Sequence, residues 1–132
     1  MTFVIDASIC AAWCFPDEKS ETADQAFDRL LQEHAVGPAL WWFEIRNILV
    51  MGERRQRISA ASADEFLSDL EKLPIHIDRE PQSQHVMALS KKHRLSVYDA
   101  AYLELALRLQ TPLVTLDEAL HTAVRQETQS PL

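Results

Sequence analysis

Four acidic residues stand at positions where a soluble protein rarely places a charge. Asp6 and Asp117 each follow a short apolar segment that is predicted to be a buried strand, and Glu44 and Asp99 lie inside two strongly apolar helical patterns. Because burying an unpaired carboxylate is costly, four acids in such places predict a shared cation. Carboxylate oxygens suit Mg²⁺ or Mn²⁺, and such ions activate water for in-line attack on a phosphodiester.

The two helical acids are predicted to face inward, because successive side chains rotate by about 100° around a helix. On that wheel Glu104 and Arg108 fall far from Asp99, and they are expected to mark the solvent side of its helix. Glu44 likewise falls opposite Arg46, Glu53 and Arg57 of its own helix. Arg55 shares the face of Glu44 and could pair with it, but one arginine cannot balance four acids.

Each acid also has an explanation that needs no ligand. Asp6 and Asp117 could cap the helices that follow them. Asp99 lies in the first turn of its helix, where a negative charge favours the helix dipole. Glu44 is the hardest to explain in this way, because a glutamate in the first turn of a helix normally lies on the solvent-exposed face. Capping does not account for two inward-facing acids as well, so a metal site is the favoured interpretation.

These acids must be positioned by an alternation of short strands and helices. Strands are predicted at residues 2–6, 35–38, 75–77 and 113–116, and helices at residues 8–15, 19–34, 40–57, 59–73, 81–93, 97–110 and 117–126. Such alternation indicates an α/β fold in which helices cover both faces of a short parallel sheet. A single domain is expected over residues 1–132. Ligands of such sheets bind beyond the carboxyl ends of the strands, where Asp6 and Asp117 are placed.

Composition argues against several other classes of protein. Thirteen basic against twenty acidic residues give a net charge of −7, which disfavours a protein held on nucleic acid by bulk positive charge. Gly37 and Gly52 are the two glycines, so glycine-rich nucleotide fingerprints are absent. Cys10 and Cys14 are interpreted as a reduced pair packed in the core. No signal peptide or membrane-spanning apolar stretch is visible, so a soluble cytoplasmic protein is expected.

The same acids stand in motifs that resemble those of PIN-domain ribonucleases, and most closely the short VapC-type toxins of bacterial toxin–antitoxin pairs. The resemblance rests on four segments in this order: Val4-Ile5-Asp6-Ala7-Ser8, Glu44-Ile45-Arg46-Asn47, Val97-Tyr98-Asp99-Ala100-Ala101-Tyr102 and Leu113-Val114-Thr115-Leu116-Asp117. It implies a PIN-like three-layer fold with a parallel sheet of four or five strands. The first and fourth strands would be adjacent, so that Asp6 and Asp117 would meet.

The resemblance also implies roles for individual residues. Asp6, Glu44 and Asp99 match the family's principal metal-site acids, and Asp117 matches a fourth acid that often contributes through water; all four are the expected catalytic residues. Asp6, Asp99 and Asp117 are the expected ligands of Mg²⁺ or Mn²⁺. The polar residues expected to line the site are Ser8, Asn47 and Thr115.

The implied activity is hydrolysis of phosphodiester bonds in structured RNA, either transfer or ribosomal, by an enzyme that a VapB-like antitoxin neutralises. A homodimer or a toxin–antitoxin hetero-oligomer is expected. The candidates for binding RNA phosphates are Lys91, Lys92, Arg94 and Arg55, although a solvated helix terminus explains the first three equally well. Members of the family often end with a fifth strand, whereas residues 128–132 carry little strand signal.

Three other interpretations remain to be compared. A non-catalytic PIN domain could use the same fold as a scaffold that binds RNA or protein. A phosphoryl-accepting regulatory module would need adjacent acids after the first strand, and an aspartyl phosphatase would need a second Asp two positions after Asp6. Asp6 is the one acid directly after the first strand, which disfavours the regulatory module, and Ser8 stands two positions after it, which disfavours the phosphatase.

Overall fold

The computed structural model describes residues 1–128 and contains the strands and helices in the predicted order. The strands are β1 (Thr2–Ile5), β2 (His34–Pro38), β3 (Ile75–Asp78) and β4 (Leu113–Val114). The helices are α1 (Ala7–Cys14), α2 (Glu21–Arg29), α3 (Ala39–Arg54), α4 (Ala60–Glu71), α5 (Ser83–His93), α6 (Val97–Leu109) and α7 (Glu118–Thr128), with a short 3-10 helix at Pro16–Glu18. The predicted α/β fold, a short parallel sheet flanked by helices, is confirmed.

The sheet order brings the two strand-end acids together. The strands lie in the order β3-β2-β1-β4, and all three pairings are parallel. Ile5 stands opposite Val114, and the Asp6 N–H donates to the Val114 carbonyl at 3.1 Å. The residues that follow β1 and β4 therefore leave the sheet side by side at its carboxyl edge.

Strand β1, one of the two inner strands, and helix α6 form the middle of the core. In β1, Phe3, Val4 and Ile5 are all fully buried, as expected for a strand of a parallel sheet that is covered on both faces. Residues on several sides of α6 are also buried, so this helix runs through the core instead of showing one polar face. Ser96 caps α6 by accepting from the Asp99 N–H at 3.0 Å, and this bond fixes the backbone of Asp99 in the first turn of the helix.

The expectation that Glu104 marks the solvent side of α6 is wrong. Glu104 is fully buried, and Arg108, one turn later, donates to it at 2.8 Å. Arg108 also donates to both carboxylate oxygens of Asp78, at 3.1 and 2.7 Å, and the Gln82 N–H donates to Glu104 at 3.2 Å. A helix wheel counts every charged residue as exposed, but a charge with this many partners can be buried.

Helix α3, which carries Glu44, lies close against β2. A Cβ atom added at Gly37 would come within 2.9 Å of the Trp41 ring, so the absence of a side chain at Gly37 allows this close approach. Helix α3 ends at Arg54, earlier than predicted, because Gln56 takes up the left-handed backbone region at φ 59°.

Three further expectations concern the chain as a whole. Within residues 1–128, no helix is long and apolar enough to cross a membrane. Cys10 is buried, Cys14 is half-buried, and neither forms a disulfide within that range. Thr128 is the last residue of α7, and residues 129–132, where a fifth strand would follow, lie outside the described residues.

Candidate active site

Asp6 is held at the carboxyl edge of the sheet by two hydroxyl groups. It is buried, with 8% of its surface exposed, and one of its oxygens, Oδ2, accepts from both Ser8 Oγ at 2.9 Å and Thr115 Oγ1 at 2.5 Å. Its side chain makes no capping bond to α1. Asp6 is therefore oriented by Ser8 and Thr115, two of the predicted site-lining residues, and does not act as a helix cap.

The same two hydroxyls tie the segment after β4 to the start of α1. Thr115 is fully buried, and its Oγ1 accepts from the Asp117 N–H at 3.0 Å. Ser8 Oγ accepts from the Leu116 N–H at 3.1 Å. Because each hydroxyl accepts from an N–H while donating to Asp6, the direction of its proton is fixed.

Asp117 is half-buried, and one of its carboxylate oxygens caps α7. Its Oδ1 accepts from the Leu120 N–H at 3.1 Å, which is the geometry of a helix N-cap. The capping explanation for this acid is therefore correct. Its second oxygen, Oδ2, accepts no hydrogen bond from residues 1–128.

Glu44 is reached from α6 by a residue that the sequence did not single out. The Tyr102 hydroxyl donates to Glu44 Oε1 at 2.5 Å, across 58 positions of sequence. Tyr102 is 1% exposed, and an aromatic residue in an apolar helix is easily taken for core packing alone. The signal that could have found it is the hydroxyl itself, since a buried tyrosine O–H needs a partner.

The four carboxylates lie within range of one another's charge. Burial raises the pKa of Glu44; the hydrogen bond from Tyr102 lowers it, and the charges of Asp6 and Asp99 raise it. Burial also raises the pKa of Asp99, as do the charges of Asp117 and Asp6. Within residues 1–128, none of the four forms an ion pair with a Lys, Arg or His. The structure thus brings these acids together without a protein cation to balance them.

Comparison with known proteins identifies the fold family. A family model described as the PIN domain matches residues 3–125. The chain belongs to the PIN-domain family. It is 35% identical over 124 residues to Ribonuclease VapC3 of Pyrobaculum aerophilum, covering 91% of this chain and 92% of that protein. The predicted resemblance is therefore confirmed.

A solved structure supports the fold assignment of this PIN domain. The crystal structure of PAE2754 from Pyrobaculum aerophilum superposes with a TM-score of 0.75 at 22% identity, covering 95% of this chain and 86% of that one. At this identity the likeness concerns the fold alone.

The acids of this PIN domain suit a divalent cation in donor chemistry and in charge. Asp6, Glu44 and Asp117 each have one oxygen held by a hydrogen bond, which leaves the other oxygen of each for a ligand. Hard carboxylate oxygens are the donors that Mg²⁺ and Mn²⁺ prefer. Within residues 1–128, however, no three His, Cys, Asp or Glu residues stand close enough to form a ready metal site. Mg²⁺ commonly keeps several waters and uses one or two carboxylates, which fits this looser arrangement.

A cleft of about 500 Å³ lies along α1 and α3 of the PIN domain, and it adjoins the acids through Ser8, which donates to Asp6. Ser8 on α1 and Asn47 on α3 line it, and so do Arg55 and Arg57 beyond the end of α3. Arg57 is engaged by Asp17 and Glu18. Arg55 is exposed and makes no ion pair with Glu44 or with any other acid in residues 1–128, so the suggested pairing with Glu44 does not form.

The other RNA-binding candidates lie around the C-terminal end of α5. Lys92 Nζ donates to Glu127 at 2.6 Å, and this ion pair fastens α5 to the end of α7. Lys91 and Arg94 are exposed, and Arg94 takes the left-handed conformation that closes α5. Lys92 thus forms an ion pair within the protein, whereas the exposed side chains of Lys91 and Arg94 remain candidates for binding RNA.

Proposed function

We propose that this PIN-domain protein is a metal-dependent endoribonuclease toxin of the VapC type that hydrolyses phosphodiester bonds in structured RNA, transfer or ribosomal. The observation that carries the proposal is the mutual electrostatic influence of Asp6, Glu44, Asp99 and Asp117 without a balancing cation. Such a cluster opposes folding on its own account, and it becomes favourable when a cation binds. The similarity to a protein named as a ribonuclease supports hydrolysis of RNA as the reaction.

The residues proposed to hold Mg²⁺ or Mn²⁺ are Asp6, Asp99 and Asp117, and Glu44 would complete the site by holding the ion or one of its waters. The bound ion would supply an activated water and neutralise charge on the phosphodiester. Thr115 and Ser8 hold one oxygen of Asp6, so its other oxygen keeps a defined direction toward the site. The cleft beyond Ser8 and Asn47 is the proposed path of the RNA, with Arg55 as a contact for a phosphate away from the reacting bond.

The experiment that tests this function is the substitution Asp99→Asn. It removes one charge and keeps the side-chain shape, so we expect RNA cleavage to be abolished while the circular dichroism spectrum is unchanged. Asp64→Asn, at an exposed position of α4, is the matched control and should cleave normally. Cleavage retained by Asp99→Asn with its full metal dependence would overturn the assignment.

The scaffold alternative is favoured by one observation, namely that within residues 1–128 no three candidate ligands form a ready metal site. A live site and a scaffold differ in their response to metal. For a live site we expect Mn²⁺ to raise the melting temperature of the wild type, and to have little effect on Asp6→Asn. A wild-type protein that Mn²⁺ does not stabilise and that does not cleave RNA would favour the scaffold.

Partner, assembly and location belong to the same proposal. The expected partner is a VapB-like antitoxin, and the expected assembly is a homodimer or a toxin–antitoxin hetero-oligomer in the cytoplasm. If a small antitoxin-like reading frame lies just upstream of the gene, co-expression with its product should yield a stable complex without ribonuclease activity. Light scattering on the purified protein, alone and in that complex, would give the stoichiometry, and a partner that leaves cleavage unaffected would contradict the inhibitory role.

A further inference from the structure

We propose that Tyr102 is a positioning residue of the active site, whose hydroxyl holds the Glu44 carboxylate in the orientation that cation binding requires. The inference rests on the proposed metal-dependent function and assigns a role to a residue outside the set of acids. Its basis is the hydrogen bond from the Tyr102 hydroxyl to Glu44 Oε1 and the placement of both residues in the fold.

Tyr102 connects the two helices that carry the inward acids. It lies three residues after Asp99 on α6, and residues so spaced share one side of a helix. Its hydroxyl crosses to Glu44 on α3. The hydrogen bond therefore positions the Glu44 carboxylate relative to α6, the helix that also carries Asp99.

The two partners differ in how firmly the fold holds them. Tyr102 is 1% exposed and packed in the core, so its ring is fixed by its neighbours. Glu44 is half-buried, and its longer side chain has more rotatable bonds than that of an aspartate. A hydrogen bond from a packed donor restricts such a side chain, which is how a supporting residue keeps a site in its productive geometry.

The chemistry of the donor matters as well as its place. A hydroxyl is a neutral donor, so it orients the carboxylate without supplying the positive charge that a lysine or arginine would add. Asp6 is held by the neutral hydroxyls of Ser8 and Thr115 in the same way. Glu44 Oε2 accepts no hydrogen bond from residues 1–128, so one oxygen is held and the other is left for the cation or its water.

The test is Tyr102→Phe, which removes one oxygen and keeps the ring. We expect Mn²⁺ affinity, measured by electron paramagnetic resonance of the free ion, to fall about 10- to 100-fold, the usual effect of losing a residue that orients a metal ligand. Tyr98→Phe changes the only other tyrosine, which is exposed on the same helix, and it should bind Mn²⁺ as the wild type does. Thermal unfolding in a chelator should show that Tyr102→Phe remains folded.

A double-mutant cycle separates positioning from a general structural role. If Tyr102 acts through Glu44, then Tyr102→Phe should weaken Mn²⁺ binding in the wild type and have no further effect in a Glu44→Ala background. An equal loss in both backgrounds would overturn the inference. If the wild type binds Mn²⁺ and cleaves RNA but Tyr102→Phe binds Mn²⁺ within twofold of it, only this inference fails. A wild type that does neither would overturn the proposed function, and the inference with it.

Discussion

A single hydroxyl, that of Thr115, joins two of the acids by donating to Asp6 and accepting from the backbone of Asp117. Thr115→Val keeps the side-chain volume but leaves the Asp117 N–H and the Asp6 carboxylate without this partner. We expect the free energy of unfolding, measured in urea, to fall by about 1–3 kcal/mol. Thr22→Val, at an exposed position of α2, should change it by less than about 0.5 kcal/mol. A Thr115→Val protein as stable as the wild type would show that water replaces the hydroxyl at no cost.

The raised pKa of Asp99 predicts a pH dependence of stability. Burial and the charges of Asp117 and Asp6 disfavour the ionised carboxyl in the folded chain, so the folded chain keeps this proton to a higher pH than the unfolded chain. The resulting destabilisation is absent below the ordinary carboxyl pKa of about 4, grows as the pH rises through the unfolded and then the folded pKa, and is complete above the latter.

In a chelator at pH 7, Asp99→Asn should therefore melt at a higher temperature than the wild type, and the difference should shrink toward pH 3. Thermal unfolding followed by circular dichroism at both pH values measures this difference. Asp64→Asn should show no such pH-dependent gain. The explanation fails if the advantage of Asp99→Asn is the same at both pH values.

The candidate site could be predicted from the sequence only where residue type and local position carry the information. Asp6 and Asp117 stand out at the ends of apolar strands, and Glu44 and Asp99 stand out inside apolar helices, whereas Ser8 and Thr115 were expected only from the family resemblance. Tyr102 does not, because its ring satisfies the apolar pattern and its hydroxyl has a partner 58 positions away. Glu104 was misplaced for the related reason that its charge is compensated by Arg108, which Asp78 also holds, and by the distant N–H of Gln82.

At the scale of elements, the buried charges of α6 hold it against the end of β3 and the start of α5. Arg108→Ala would leave Glu104 fully buried without its cation, and breaking such a pair costs about 3–5 kcal/mol. We expect a loss of that size in urea unfolding. Arg125→Ala, at an exposed position of α7, is the control and should cost less than about 0.5 kcal/mol. A small effect at Arg108 would mean that water reaches Glu104.

The order of the elements could be predicted from the sequence, but their neighbours in the sheet could not be derived from spacing. Apolar periodicity and the caps at Ser59 and Ser96 mark where helices begin. No spacing between β1 and β4 shows that they pair, and β4 has only two residues, Leu113–Val114. The adjacency of Asp6 and Asp117 came from the family resemblance, and the strand order then confirmed it.

At the scale of the whole molecule, a net charge of −7 predicts that RNA is held by few ionic contacts. The logarithm of the RNA association constant should then fall only shallowly with the logarithm of salt concentration, by about 0.7 per phosphate neutralised on a single strand. Arg55→Gln should reduce this slope by about 0.7, when measured in an Asp99→Asn background that does not cleave. Arg125→Gln should leave the slope unchanged, and an unchanged slope for Arg55→Gln would remove Arg55 from the RNA path.

Because neutral hydroxyls hold the acids, substitutions that remove these hydroxyls should inactivate the protein in a genetic screen. If expression of the protein arrests growth, colonies that survive a random-mutagenesis screen would carry lesions at Thr115 and Tyr102 as well as at the acids themselves. The pattern at Thr115 would be distinctive, because serine retains the hydroxyl while alanine and valine lose it. Survivors would therefore carry residues without that hydroxyl at position 115, such as alanine or isoleucine, and serine would be missing among them.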